Sequence, residues 1–147
     1  MNPEMGKKIA ENGAESLADI ERFLRSGEAW LRRQHEEGLG GQEFCRQRAS
    51  LLDRVIQRLL KRSLSLRREK SRPGISLLAV GGYGREELSP HSDVDLLILH
   101  PPGKGRDLES DLQAILHPLW DWGLTVGHTV QTSKESLRAA QKDPDLF

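Results

Sequence analysis

The run Gly81-Gly-Tyr-Gly-Arg-Glu-Glu-Leu-Ser-Pro-His-Ser-Asp-Val-Asp95 stands between two short apolar segments, Ile75-Ser-Leu-Leu-Ala-Val80 and Leu96-Leu-Ile-Leu99. Both segments read as buried strands: they are short, apolar and rich in branched residues. The first strand empties at once into a glycine-rich turn. Gly81, Gly82 and Gly84 carry no Cβ, so the turn can adopt positive φ and its amides can approach a phosphate closely. Asp93 and Asp95 sit two apart at the start of the second strand, residues 93–99, so both carboxylates point to one face. At a rise of ~3.3 Å per residue their Cα atoms are roughly 6.5–7 Å apart. Two carboxylates at that spacing can converge on one divalent cation, or on a close pair. A phosphate cradle beside a Mg2+ site is what nucleotidyl transfer needs: the metal neutralises the triphosphate and aligns the attacking group with the leaving pyrophosphate.

Alone, a glycine turn or an Asp-x-Asp is ordinary structure. Their order, with eleven residues from Gly82 to Asp93 and each feature at a strand end, favours the functional reading. Other phosphate motifs fail. There is no GxxxxGK[ST], and Glu87 stands where the last glycine of GxGxxG would fall.

Upstream, Leu17, Ile20, Leu24 and Leu31 recur at helical spacing and predict a helix over residues 14–37, with Asn12 and Glu15 as a capping box. Gly38-Leu-Gly-Gly41 ends it. Leu52, Val55, Ile56, Leu59 and Leu60 predict a second helix over 42–68, broken by Pro73-Gly74. Glu86-Glu87-Leu88 is expected to form one helical turn. Downstream, Leu108, Leu112, Ile115, Leu116 and Leu119 predict a helix over 107–122. Pro118 removes one backbone donor from it, and Gly123 is its expected C-cap. Leu124–Gln131 is the third strand, and Thr132-Ser-Lys-Glu135 is a capping box for a last short helix. The order ααβ-β-α-β-α is an α+β arrangement, a short mixed sheet flanked by helices with an N-terminal helical pair. Residues 1–72 are read as a helical region packing on a core at 73–147.

Lys+Arg and Asp+Glu are 22 each, which excludes a globally basic nucleic-acid-binding tail, and no nucleic-acid partner is expected. The balance is not even. Residues 1–73 hold 16 basic and 11 acidic side chains, and residues 74–147 hold 6 and 11. Between Arg46 and Arg72 ten basic residues stand against two acidic ones. This stretch reads equally as a guide for a triphosphate or an acidic partner, and as a solvated face. No run of 18 apolar residues and no apolar stretch in the first 15 residues predicts a membrane span or a secretory leader. The single Cys45 excludes an internal disulfide, so a reduced, cytoplasmic setting is the expectation.

The run from Gly81 to Leu99 resembles the signature of the DNA polymerase beta nucleotidyltransferase superfamily. More specifically, it is similar to the N-terminal domain of bacterial protein-PII uridylyltransferase/uridylyl-removing enzymes. The similarity continues in Leu119-Trp120-Asp121 and in Gly123–Thr132, and covers roughly residues 40–147. It implies a polymerase-beta-like fold and Mg2+-dependent transfer of UMP from UTP to a tyrosine of the PII nitrogen-signalling protein. It implies Gly81, Gly82, Gly84, Arg85 and Ser92 around the nucleotide, and Asp93 and Asp95 as the catalytic metal ligands. None of the five histidines is followed by Asp, so the family's HD hydrolase motif is absent from these residues, as are its ACT sensor domains. The core is expected to be truncated at its C-terminal end. The superfamily often uses a third carboxylate on a later strand. Leu124–Gln131 has no acid, and His128 is the candidate ligand or phosphate contact there.

Two alternatives stand beside this reading. One is another small nucleotidyltransferase of the same fold, of adenylyltransferase or antitoxin type. The other is a degenerate nucleotide-binding module without catalysis. Intact Gly81, Gly82, Asp93 and Asp95 oppose the second alternative, and the missing later acid favours it. Tyr83 is expected to pack on its own scaffold, and Trp120 and Trp122 to be core and rim residues at a helix end.

Overall fold

The computed structural model describes residues 14–66, 75–103 and 106–142. Asn12, Pro73-Gly74 and the basic residues from Arg67 to Arg72 lie outside them. Helix α1 spans Leu17–Glu36. Its cap is Ser16, not Asn12: Ser16 Oγ accepts from Asp19 N at 3.1 Å and donates to Asp19 Oδ2 at 2.7 Å. The short hydroxyl reaches the first-turn amide directly, and Asp19 complements the positive helix end. Glu15 pairs instead with Arg58 at 2.9 Å.

Gly38, at φ 111°, lets the chain leave α1 and turn back. Helix α2 then runs Gly41–Ser65. Ile20, Leu24 and Leu31 of α1 are buried together with Leu51, Leu52, Val55 and Leu59 of α2. Burying each such side chain contributes about 1.5–3 kcal/mol. The Arg58 guanidinium lies 3.8 Å from the centre of the Phe23 ring and closes the edge of the pair.

Strand β1 (Ser76–Ala79) leads into a single helical turn, α3 (Gly81–Gly84). That turn falls on the glycines and not on Glu86–Leu88. Gly84 N donates to Val80 O at 3.0 Å and Arg85 N to Gly81 O at 3.2 Å, whereas Glu86 at φ 60° leaves helical geometry. Strand β2 (Val94–His100), helix α4 (Arg106–Asp121), strand β3 (Val126–Thr132) and helix α5 (Ser133–Lys142) follow. The sheet order is β1-β2-β3. β1 is antiparallel to β2, with Leu77 opposite Ile98, and β3 is parallel to β2, with Leu96 opposite His128. Two parallel neighbours need a crossover, and α4 supplies it.

Pro118 lies buried inside α4. The helix closes with Trp122 N on Pro118 O at 2.9 Å, and Gly123 at φ 82° turns the chain out, so the expected C-cap is found. The α5 box also forms. Glu135 N donates to Thr132 Oγ1 at 3.2 Å, and Thr132 N to Glu135 Oε2 at 2.8 Å. Val94, Leu96, Ile98 and Val126 join Ile115, Leu116 and Leu119 of α4 and the α1–α2 residues in one core. The architecture is α+β, a three-stranded mixed sheet with helices. No helix of the described residues is long and apolar enough to cross a membrane.

Candidate active site

Period-two alternation divides β2. Val94, Leu96 and Ile98 face the helices; Asp95 points to the other side. The parallel register sets Gly127 of β3 opposite Asp95. A Cβ on Gly127 would lie 2.6 Å from Asp95 Oδ1, and a Cβ on Gly81 would lie 3.2 Å from Asp95 Oδ2. The half-buried carboxylate of Asp95 is therefore seated between two glycines from different elements, and a side chain at Gly127 would displace it.

The three glycines of the turn have different reasons to be glycine. Gly81 sits at φ 58°, which L side chains rarely adopt. Gly84 packs on β1, since a Cβ there would lie 2.6 Å from the Ala79 carbonyl oxygen. Gly82 has neither constraint: its nearest neighbour would be Glu87 O at 3.8 Å. Its missing side chain keeps space open and is not demanded by the fold. The amides of Gly81, Gly82 and Tyr83 precede the first helical bond of α3, made by Gly84 N. They open the turn beside Asp95.

Asp93 is exposed and lies one residue before β2. Val94 N donates to Thr125 O at 2.8 Å and anchors this end of the strand. Ser92 Oγ is engaged in its own turn, accepting from Ser89 N at 3.2 Å and lying 2.7 Å from Ser89 Oγ. Arg85 is exposed and donates to Glu87 Oε2 at 2.8 Å. Gly81, Gly82, Gly84, Ser92, Asp93 and Asp95 thus lie along one short segment, with Arg85 on its outer surface.

His128 is elsewhere. It is opposite Leu96, one residue from Gly127, and so projects to the face away from Asp95. There its ring packs 5.8 Å from that of Trp120. A one-residue step on a strand reverses the face, which the sequence reading of this position did not resolve. Trp120 is exposed and Trp122 is buried, so core and rim fall in the reverse of the expected order. Tyr83 is 3% exposed and packs on its scaffold, its hydroxyl donating to Asp53 Oδ1 at 2.6 Å. Burial, then that hydrogen bond, raises the phenol well above the ordinary tyrosine value. Of the basic residues on α2, Arg48, Arg58 and Arg62 are used in internal bonds.

Among the described residues no group of three or more His, Cys, Asp or Glu could hold a metal. The exposed Asp93 and half-buried Asp95 offer hard oxygen donors, which suit Mg2+ with waters and substrate phosphates completing its shell, and suit soft ions less well. Sequence reasoning missed Gly127, Arg48 and Asp53. Only the parallel register could have brought Gly127 to Asp95.

A strand, a glycine turn and a strand-borne carboxylate define a nucleotidyltransferase core. Residues 60–140, more than half of the chain, match the family described as a nucleotidyltransferase domain, and the chain belongs to that family. Its relatives include bifunctional uridylyltransferase/uridylyl-removing enzymes. It is 36% identical over 128 residues to that of Aromatoleum aromaticum, covering 87% of this chain and 14% of the relative. It is 38% identical over 133 residues to that of Thiobacillus denitrificans (88% and 15%) and 37% over 139 residues to that of Rhodospirillum rubrum (90% and 15%). The chain spans about 15% of the length of the curated relatives it matches. No solved structure matches it.

Proposed function

We propose that this nucleotidyltransferase domain transfers UMP from UTP to a tyrosine hydroxyl of a PII signal protein, with Mg2+ held by Asp93 and Asp95. The observation that carries the reading is the Asp95 carboxylate seated between Gly81 and Gly127, beside the opening amides of α3. The names of the relatives support the choice of UMP as the transferred group.

The chain's own parts have these tasks. The amides of Gly81, Gly82 and Tyr83 receive phosphate oxygens. The absence of a side chain at Gly82 leaves the space those oxygens take. β2 fixes Asp95 through its ladder on both sides, so the carboxylate does not reorganise on binding. Asp93, at the strand entrance, supplies the second carboxylate. Mg2+ bound there would neutralise the triphosphate. The tyrosine oxygen bonds to the α-phosphorus, the α–β bridging bond breaks, and pyrophosphate leaves while the hydroxyl proton passes to solvent.

A label-transfer assay with UTP, PII and Mg2+ tests this, with Asp95→Asn as the control. Incorporation of label into PII that Asp95→Asn abolishes supports the reading. Transfer from ATP in place of UTP would move the assignment to an adenylyltransferase. Mg2+-dependent nucleotide binding with no transfer to any acceptor would make the chain a nucleotide-binding module.

A further inference from the structure

Among the described residues, the segment from Gly81 to Asp93 pairs with no strand. Its own bonds are short-range: Glu87 N to Gly82 O at 2.8 Å, Glu86 N to Tyr83 O at 3.1 Å, Ser92 N to Ser89 O at 3.1 Å. Such a segment is held in place only if something outside it does the holding. Among the described residues its tertiary polar ties all run to α2. Arg48, 5% exposed, donates through Nη1 to Ser89 O at 2.6 Å, across 41 residues of sequence. Its Nη2 lies 3.7 Å from Glu28 Oε1 on α1, which orients the fork. Five residues along α2, Asp53 accepts from the buried Tyr83 hydroxyl at 2.6 Å. A third tie, Arg46 to Glu86 at 3.4 Å, is solvent-exposed at both ends and adds little. Between the two strong ties the fully buried Leu88 pins the segment from below.

The Arg48–Ser89 and Tyr83–Asp53 bonds do not join α1 to α2, which have their own apolar seam, although the Arg48 guanidinium also meets Glu28 of α1. A buried guanidinium costs free energy that leucine packing does not. Arg48 sends its bond to a backbone carbonyl, so it fixes the path of the chain whatever residue stands at 89. A phenylalanine at 83 would pack as well as tyrosine. The hydroxyl adds only the tether to Asp53.

We propose that Arg48 and Asp53 are positioning residues of the nucleotide site. Arg48 fixes the Ser89–Ser92 turn that delivers Asp93, and Asp53 acts through Tyr83 to fix the glycine turn beside Asp95. The inference rests on the nucleotide reading above. Both residues lie before residue 60, where the match to the family begins. Misplacing reacting groups by 1 Å costs about a hundredfold, so the outer ties affect a site they do not touch.

The test uses the 147-residue chain and three readouts: amide hydrogen exchange, Mg2+-UTP affinity and global unfolding. Arg48→Lys keeps the charge and loses the fork. Tyr83→Phe keeps the ring and loses the tether. Asp53→Ala removes the acceptor, and Asp53→Asn retains one. The expected result is exchange about tenfold faster at residues 81–93 in Arg48→Lys, Tyr83→Phe and Asp53→Ala, with Leu96–Ile98 unchanged. UTP affinity falls about tenfold in the same three variants, Asp53→Asn rescues both readouts, and the Tyr83→Phe/Asp53→Ala pair is no worse than either alone. Unchanged exchange at 81–93 overturns the inference. So does loss of protection spread equally over β2 and α4, which marks a general structural role. If exchange responds as expected while the unsubstituted chain binds no UTP, the tethers stand and the nucleotide reading of the site falls.

Discussion

Val94, Leu96 and Ile98 point to one face of β2, and Asp95 to the other. The first face meets α2 and α4 and is sealed: Ile98 and Ile115 have no exposed surface. The second buries Leu97, and at its Asp95 end holds a half-buried carboxylate between glycines. The strands are the same; only the parity of the residue number differs. On the helix face large side chains fill space and supply stability. On the other face side chains are removed, at Gly81 and Gly127, to leave a charged group room and access. Mutations on the two faces should therefore separate stability from activity.

The largest expected effect is on the open face. Asp95→Asn should reduce UMP transfer on the order of a thousandfold, about 4 kcal/mol of transition-state stabilisation, while the thermal midpoint stays within a few degrees. Ile98→Ala, three residues on, should do the reverse. It should lower unfolding free energy by about 2–5 kcal/mol in a denaturant titration, and the remaining folded fraction should still bind UTP. If Ile98→Ala and Asp95→Asn shifted the same property, the two faces would not be distinct.

The next contrast lies within β3. Gly127→Ala puts a methyl group 2.6 Å from Asp95 Oδ1 and must displace the carboxylate. Transfer should fall about a hundredfold with little change in fold. His128→Ala, the adjacent residue on the opposite face, should leave UTP affinity within about twofold, because no site group is near it. The glycine turn offers a matched pair. Gly84→Ala drives a Cβ against the Ala79 carbonyl and should destabilise the chain by about 1–3 kcal/mol. Gly82→Val places its Cβ no nearer than 3.8 Å to Glu87 O, so the chain should fold, and calorimetry should find UTP binding lost. Unchanged UTP affinity in folded Gly82→Val would remove the turn from the site.

The strand–glycine turn–strand order, the capping box at Thr132 and the C-cap at Gly123 were legible because each depends on neighbours a few residues apart. Pro118 and the α2 stripe were legible for the same reason, whereas which of Trp120 and Trp122 faces the core was not. The face occupied by His128 was not, because it depends on register across β2 and β3, which a local pattern does not encode. Gly127 was overlooked for the same reason: its importance is Asp95, 32 residues away. The helical turn was expected at Glu86–Leu88 from composition. The turn formed on Gly81–Gly84 instead, where Val80 and Gly81 offer carbonyls to Gly84 and Arg85. Arg48 and Asp53 looked like part of a charged stretch, and only tertiary contacts reveal their partners.

The smallest expected effect lies at the far end of the sheet. Bonds from the Thr132 amide, then the Thr132 hydroxyl, hold the exposed Glu135 carboxyl below the ordinary glutamate value. A depressed carboxylate pKa stabilises the fold above the unfolded value, and that contribution is lost as pH falls through the folded one. The α5 amides should therefore lose protection, relative to their intrinsic exchange rate, on acidification below the usual carboxylate range, and Glu135→Gln should flatten that response. An identical pH response in Glu135→Gln would show that the box does not govern α5.

The central claim is that a nucleoside triphosphate binds on the Asp95 face, against the turn at 81–83. An amide-resolved NMR titration of the chain with Mg2+-UTP measures this directly. The account predicts the largest shifts at Gly81, Gly82, Tyr83, Asp95 and Gly127, with Trp120 and His128 unmoved and with all shifts lost in Asp95→Asn. Shifts centred on Trp120 and His128, or none at any amide at millimolar nucleotide, would contradict it.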